Sequence, residues 1–302
     1  MRAWAGIAAL LAVCVAPAGC REREPIAPTE EVTHAPQTPY LTRRSAHATQ
    51  LRERGPAPAR FAATPPPPGV RLVHYRSGEL ELAAWYSAPG WGRGASPGLV
   101  YFHGDFAFGP DDFEIVRRFV DAGYAVLTPM LRGENGNPGD FELLWGEVDD
   151  GRAAVEWLAA QPEVDRQRVF AFGHSIGGGL AAMLSLYPEL PLRATGSCGG
   201  IYVPETFARW AGSERNAKLI RFDAEDPAET TLRVLGPNIE WMAHPHMAYV
   251  GEQDPWFIDN AQALERRAWE LGKPFELLRV PGDHMGSLDP ALDAFLNAIS
   301  PG

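Results

Sequence analysis

The sequence has little cysteine and no stripe of basic residues, and each shortage excludes a class of protein. Its 302 residues include three cysteines, Cys14, Cys20 and Cys198, which do not imply a disulfide framework or have zinc-ligand spacing. We interpret Cys198 as a small apolar residue near a strand end. The formal net charge of −11 leaves no basic surface to neutralise phosphates. We therefore expect no metal, no cofactor and no nucleic-acid partner.

Long apolar runs are also missing, because the run from Trp4 to Val15 is too short for a retained membrane-spanning helix. With Arg2 before it and small residues after it, residues 1–19 are predicted to be a signal peptide. The Ala18-Gly19-Cys20 ending resembles a bacterial lipobox, which implies lipidation of Cys20 and a membrane-anchored protein of the cell envelope. Cleavage after Ala18 is the alternative, and it predicts a secreted or periplasmic soluble protein.

Residues 20–69 are rich in proline and show no apolar periodicity. Prolines recur from Pro25 to Pro58, and a run of prolines fills positions 65–68. Such a composition cannot bury enough apolar surface to offset the entropy of ordering. The sequence therefore predicts a disordered, extended tether without a helix, which would hold a folded domain away from a membrane.

From Val70 the pattern becomes that of one α/β domain over residues 70–302. Alternation on both sides of Ser77-Gly78 predicts an antiparallel hairpin. Short apolar runs then alternate with helical patterns, which predicts a mostly parallel sheet with helices on both faces. The further strands are predicted at 98–103, 125–130, 169–172, 194–198, 247–250 and 276–280, and one of the helices at 143–160. The longer segment 199–245 is interpreted either as a small cap or as ordinary core.

A Gly-x-Ser-x-Gly pattern lies where a predicted strand meets a predicted helix, at Gly173-His174-Ser175-Ile176-Gly177. In this context the glycines relieve crowding at a sharp turn that exposes the serine hydroxyl. Ligand sites of such sheets lie beyond the carboxyl ends of the strands, where this serine stands. We predict that Ser175 is a nucleophile.

A serine nucleophile needs a histidine base and a carboxylate that orients it. His284 and Asp254 follow the last two predicted strands, in the chain order serine, acid, histidine. The competing carboxylates are Glu252, Asp259 and Asp283. The competing histidines are His174, which adjoins the serine, and His244 and His246, which precede a strand rather than follow one.

The oxyanion that forms during acyl transfer needs backbone N–H donors that are already aimed. One donor is predicted to be Ile176, at the first position of the helix that follows the serine. The second is predicted in the loop after the strand that ends at His103-Gly104, from either Asp105 or Phe106. Gly104 allows close approach of that backbone.

These motifs together resemble the α/β-hydrolase superfamily, and within it the prolyl-oligopeptidase-like and dienelactone-hydrolase-like branch. The resemblance covers about residues 70–302. It is carried by His103-Gly104, Arg132-Gly133, Asp149-Asp150, Gly173–Gly177, Gly251–Asp254 and Gly282–His284. It implies hydrolysis of an ester, amide or lactone through an acyl-enzyme without a metal. Prolyl oligopeptidases carry a β-propeller where this chain has its proline-rich segment, and dienelactone hydrolases use cysteine where this chain has Ser175.

Three functions are compatible with this pattern. The first is a serine hydrolase that cleaves a small carboxylic ester through an acyl-enzyme. The second is a small serine peptidase or amidase with the same triad and a short peptide substrate, in which Glu134 is the candidate to hold the substrate amine unless it is a solvated loop charge. The third is a catalytically silent binding module of the envelope, which would need none of the three triad residues.

Overall fold

A mixed sheet of eight strands forms the centre of the part of the chain that the structure describes, in the order β1-β2-β4-β3-β5-β6-β7-β8. The strands are β1 (Arg71–Ser77), β2 (Leu80–Ser87), β3 (Ser96–Phe102), β4 (Ala125–Pro129), β5 (Val164–His174), β6 (Leu192–Cys198), β7 (His246–Gly251) and β8 (Phe275–Val280). The hairpin β1–β2 is antiparallel and joins β4 in antiparallel register, while β3 to β8 pair in parallel. This architecture confirms the predicted fold class.

The computed structural model describes residues 38–59, 64–89, 95–214 and 216–300. The predicted signal peptide, residues 1–19, and Cys20 lie outside these residues. Within the described ranges, no helix is both long enough and apolar enough to cross a membrane.

Helices cover both faces of the sheet, as the alternation of strands and helices predicts. They are α1 (Tyr40–Ala46), α2 (Pro110–Glu114), α3 (Arg117–Asp121), α4 (Gly146–Ala159), α5 (Ile176–Leu184), α6 (Pro204–Ala211), α7 (Pro227–Thr231), α8 (Pro255–Glu270) and α9 (Leu288–Ile299). Helices α4, α5 and α8 pack on one face, and α2, α3 and α9 pack on the other. Successive residues of β3 alternate between the two apolar cores, Leu99 and Tyr101 in one and Val100 and Phe102 in the other, as the two-residue period of a strand requires.

The helix predicted at 143–160 begins later than its apolar pattern indicates. Leu143 and Leu144 have φ values of 52° and 62°, so the chain is left-handed there, and α4 starts at Gly146. Both leucines are nevertheless buried in the core. The buried Glu147 carboxylate accepts the backbone N–H groups of Glu142, Leu143 and Trp145, and these bonds hold the irregular turn.

The prediction of a disordered tether without a helix over residues 20–69 is wrong for residues 38–59, which contain α1. Pro39 stands immediately before α1 and does not interrupt it, and Tyr40 at its start is completely buried in the main core. Farther along, Ala57 donates its N–H to the Gly133 carbonyl at 3.0 Å. A few buried side chains and backbone bonds therefore order a segment whose overall composition is that of a linker.

The segment between β6 and β7, predicted as a small cap or as ordinary core, consists of short helical pieces. These are α6, α7 and two 3-10 turns at Ala217–Leu219 and Gly236–Trp241. Phe207, Phe222 and Leu235 are buried and belong to the main core, while Trp210 of α6 is partly exposed. The segment thus contributes to the core and places α6 beside the carboxyl edge of the sheet.

Candidate active site

Ser175 occupies a strained turn between β5 and α5. Its φ of 53° and ψ of −116° place a non-glycine residue in a sparsely populated region, and its N–H donates to the Cys198 carbonyl at 2.8 Å. A Cβ on Gly173 would lie 2.0 Å from the Gly177 oxygen, and a Cβ on Gly177 would lie 2.4 Å from the His103 carbonyl oxygen. The two glycines are therefore sterically required, and the turn they permit leaves the Ser175 side chain only partly buried.

The three side chains predicted as a triad lie together in one hydrogen-bond chain. His284 Nδ1 is 2.9 Å from Asp254 Oδ2, and His284 Nε2 is 3.0 Å from Ser175 Oγ. Because a carboxylate only accepts, the Nδ1–H donates to Asp254, which leaves Nε2 to accept the Ser175 hydroxyl proton. The arrangement has the geometry needed to deprotonate Ser175 during nucleophilic attack.

Packing around the imidazole of His284 limits its orientation. The Phe257 ring stacks on it with centroids 4.5 Å apart, and a Cβ on Gly199 would lie 2.7 Å from its Cε1 atom. Behind it, His174 Nε2 donates to the backbone carbonyl of His284 at 3.1 Å. Burial, and then the nearby His284, lower the pKa of His174 to about 4, so His174 is neutral at ordinary pH and serves as a packing and hydrogen-bonding residue.

The competing carboxylates and histidines have other positions. Asp283 accepts N–H groups of its own loop, Glu252 is exposed and Asp259 lies inside α8. His246 opens β7 and is buried, while His244 lies 2.9 Å from the Tyr187 carbonyl. Burial lowers the pKa of His246 to about 3. These positions leave Asp254 and His284 as the pair that faces Ser175.

The loop predicted to supply an oxyanion donor lies directly beside Ser175. A Cβ on Gly104 would be 3.6 Å from the Ser175 Cβ, and the next residue, Asp105, is left-handed with φ of 62°. Ile176 is the first residue of α5, where its N–H has no carbonyl one turn back in the helix. The roles of Ile176 and of Asp105 or Phe106 as oxyanion donors stay predictions.

Glu134 is neither a solvated loop charge nor open to a substrate amine, so both interpretations of this residue are wrong. It is 3% exposed, its Oε2 lies 3.1 Å from His103 Nε2, and the same oxygen accepts the Leu131 N–H at 2.8 Å. Sequence reasoning missed this pair, and it also missed the stacking of Phe257 on His284. For Phe257 a signal existed, since it follows Asp254 by three residues at the start of a helix.

The sheet order, the strained Ser175 and the covering helices define the α/β-hydrolase fold. The family model of the X-Pro dipeptidyl-peptidases (S15 family) matches residues 29–222, which is more than half of the chain. The chain therefore belongs to this family of serine hydrolases.

Solved structures show the same fold at low sequence identity. The Pyrococcus furiosus esterase matches with a TM-score of 0.63 and 17% identity, covering 83% of this chain and 99% of the esterase. A puromycin-hydrolyzing peptidase of Mycobacterium tuberculosis matches with a TM-score of 0.65 and 18% identity, over 76% of this chain and 38% of the peptidase. The Pyrococcus horikoshii acylaminoacyl peptidase matches with a TM-score of 0.60 and 18% identity, over 76% of this chain and 40% of its own. The chain thus spans about two fifths of the length of these two peptidases.

Among curated proteins, an uncharacterized protein of Mycobacterium tuberculosis is 26% identical over 232 residues, which is 70% of this chain and 81% of that protein. The uncharacterized peptidase YtmA of Bacillus subtilis is 24% identical over 163 residues, which is 53% of this chain and 63% of YtmA.

Proposed function

We propose that this chain hydrolyses small carboxylic esters through an acyl-enzyme on Ser175. The observation that carries the proposal is the continuous hydrogen-bond chain from Asp254 through His284 to Ser175, with distances of 2.9 Å and 3.0 Å. A hydroxyl that already donates to a neutral imidazole can lose its proton as it attacks, and the carboxylate stabilises the imidazolium that forms.

The reaction proceeds in two steps. The Ser175 oxygen attacks the ester carbonyl while its proton passes to His284 Nε2, and the N–H groups of Ile176 and of Asp105 or Phe106 stabilise the oxyanion. Collapse of the tetrahedral intermediate breaks the ester bond, and His284 gives its proton to the leaving alcohol. Water then attacks the acyl-enzyme with His284 as base, which releases the acid and restores the Ser175 hydroxyl.

Aromatic side chains in and beside the oxyanion loop, residues 103–108, favour an apolar group in the substrate. The Phe106 ring packs against Phe141 with centroids 5.4 Å apart and against Trp210 of α6 at 6.3 Å. The carboxylate that a peptide amine would need was predicted at Glu134, and that group faces His103 instead. The second observation supports an ester over a dipeptide, since a buried and engaged carboxylate cannot bind a substrate ammonium.

Family membership favours a second candidate, a peptidase that uses the same triad. The test therefore compares p-nitrophenyl esters of increasing acyl length with aminoacyl-proline anilides, on the full chain and on Ser175→Ala. Ser45→Ala, which removes an exposed hydroxyl on α1, is the control. We expect ester turnover that is lost in Ser175→Ala and kept in Ser45→Ala.

The other possible results would favour one of the two alternative functions. Serine-dependent anilide turnover of similar efficiency would move the assignment to a peptidase. Absence of serine-dependent turnover on both panels, together with no labelling of Ser175 by a fluorophosphonate, would favour the silent binding module.

We also propose that the protein is exported and anchored by a lipid on Cys20, on the basis of residues 1–20 alone. Mass spectrometry of the mature N-terminus would find a lipidated Cys20 if this is right. An unmodified N-terminus at Gly19 would instead identify a soluble exported protein.

A further inference from the structure

The proposed hydrolysis makes no use of a buried ion pair that adjoins the oxyanion loop. His103 Nε2 lies 3.1 Å from Glu134 Oε2, and His103 Nδ1 lies 2.8 Å from the Gly104 carbonyl oxygen. The two side chains are 3% and 4% exposed, so the pair lies away from bulk water. Both ring nitrogens of His103 are therefore committed to protein groups.

Both of these partners are acceptors, which fixes the protonation state of the imidazole. A carbonyl oxygen only accepts, and Glu134 Oε2 acts as an acceptor toward the Leu131 N–H at 2.8 Å. A neutral imidazole has one N–H and can satisfy only one of them. The geometry therefore requires His103 to be an imidazolium that donates from both nitrogens.

The orientation of the Gly104 carbonyl determines that of the Asp105 N–H, because both groups lie in the same peptide plane. In a trans peptide these two groups point in opposite directions, so fixing the carbonyl fixes the N–H. Asp105 has φ of 62°, a conformation that needs support from its surroundings in a non-glycine residue. The hydrogen bond from His103 to the Gly104 carbonyl thus orients the N–H of Asp105. Asp105 is one of the two residues, with Phe106, predicted to supply the second oxyanion donor.

The loop after β4, which contains Glu134, also holds the other end of the oxyanion loop, at Phe108. Asn135 Oδ1 accepts the Phe108 N–H at 2.9 Å, and Asn135 Nδ2 donates to the Phe108 carbonyl at 2.7 Å. Glu134 and Asn135 are consecutive residues, so one short segment fixes both ends of residues 103–108. These hydrogen bonds hold the loop in place before a substrate binds, which is what an aimed oxyanion donor requires.

We propose that the His103–Glu134 ion pair is a positioning device, in which the imidazolium orients the Gly104–Asp105 peptide so that the Asp105 N–H is the second oxyanion donor. His103 and Glu134 are then positioning residues, and they act on the reaction only through this peptide. This inference rests on the proposed acyl-enzyme function of Ser175.

Two carboxylates act on His103, each from a different element. Glu134 comes from the loop after β4 and Asp112 from α2. His174, at the end of β5, lies beside the next residue, since a Cβ on Gly104 would be 2.9 Å from His174 Nδ1. Burial lowers the pKa of His103, but the Glu134 carboxylate, with a smaller effect from Asp112, outweighs it and raises the pKa to about 9. His174 is neutral because its pKa is lowered to about 4, so it adds no opposing charge. Above the pKa of His103, one of its two hydrogen bonds is lost, and kcat should fall on the alkaline side.

The test compares the full chain with Glu134→Gln, which keeps the shape of the side chain and removes its charge. The imidazole ¹⁵N shifts of His103, assigned with His103→Gln, report its charge directly, and kcat is followed from about pH 6 to about pH 10. We expect an imidazolium at neutral pH in the unaltered protein and a neutral ring in Glu134→Gln. In that variant kcat should fall about tenfold to hundredfold with KM nearly unchanged, and the alkaline limb should move to lower pH.

Glu147→Gln is the matched control, because it also removes a buried carboxylate that holds a loop, but one that does not contact His103. Its alkaline limb should stay where it is in the unaltered protein. A neutral His103 in the unaltered protein, or an alkaline limb that Glu134→Gln does not move, would overturn the proposal. Activity that survives in Ser175→Ala would instead refute the proposed function, while the ¹⁵N measurement would still report the state of the ion pair.

Discussion

The molecule contains two histidine–carboxylate pairs of nearly equal length at the same edge of the sheet. The His284–Asp254 contact is 2.9 Å and the His103–Glu134 contact is 3.1 Å. Their surroundings differ, because the first pair has side-chain exposures of 31% and 10% and the second has 3% and 4%. The second ring nitrogen of His284 faces a hydroxyl that can give a proton, whereas the second ring nitrogen of His103 faces a carbonyl that cannot.

The function of a histidine–carboxylate pair therefore depends on the group that contacts the second ring nitrogen. For His284 that group is a hydroxyl, and for His103 it is a carbonyl. A ring that must take up and release a proton needs an exchangeable neighbour and access to substrate and water. A ring that must stay charged needs two acceptors and no water. We therefore expect removal of charge from the two carboxylates to have effects of different size and different kind.

The largest effect should come from Asp254→Asn. The amide would present a donor to His284 Nδ1 and favour the wrong tautomer, so we expect kcat to fall about 10⁴-fold. Glu134→Gln should be milder by about two orders of magnitude, because it leaves the triad intact. Steady-state kinetics on the best ester of the panel measures both. Equal losses in the two variants would remove the distinction between the pairs.

A variant that weakens the fold without touching either pair tests whether these losses reflect stability alone. Tyr40 is completely buried, its ring packs edge-on against Tyr187 at 5.9 Å, and its hydroxyl donates to the Leu232 carbonyl at 3.4 Å. Tyr40→Ala should lower the free energy of unfolding by about 3–5 kcal/mol, as other large-to-small core changes do. Urea denaturation measures this loss, and the pH dependence of kcat should stay unchanged. Thr42→Ala, on the exposed side of the same helix, should have little effect.

Tyr40 also marks the point at which sequence reasoning about the fold failed. The strands and the hairpin could be predicted, because apolar runs, turns and helical patterns are local signals. The ordering of residues 38–59 depends on long-range contacts, such as the one between Tyr40 and Leu232. Proline content argues against a long helix, but it does not argue against a single helical turn or two that follow Pro39.

The proximity of the three triad side chains could be predicted, because each one follows a predicted strand. Ser175, Asp254 and His284 each follow a strand, and parallel strands bring their carboxyl ends to one edge of the sheet. The role of Glu134 was not predictable, because a carboxylate in a polar loop looks the same in sequence whether it is solvated or buried. Only the fold brings it within 3.1 Å of His103.

The buried pair should also make stability depend on pH, and the sign follows from the pKa of His103. That pKa is raised to about 9 from an ordinary value of 6.5, so the stabilisation is complete below about 6.5 and is lost as pH rises through about 9. The free energy of unfolding should therefore decrease over this window by at most about 3 kcal/mol. Urea denaturation at several pH values measures the decrease, and the difference between the unaltered protein and Glu134→Gln isolates this pair. A difference that stays constant with pH would contradict the charged state of His103.

The smallest effect should come from the aromatic rings beside each histidine. Phe257 stacks on His284 with centroids 4.5 Å apart, and Phe108 packs on His103 at 5.9 Å. The less buried pair relies more on packing for its orientation, so we expect Phe257→Leu to lower kcat about tenfold. Phe257→Tyr keeps the ring and should keep most of the activity. Because His103 is held by hydrogen bonds from both nitrogens, Phe108→Leu should change kcat less than about threefold. If Phe108→Leu proved as damaging as Phe257→Leu, packing rather than the ion pair would position the oxyanion loop.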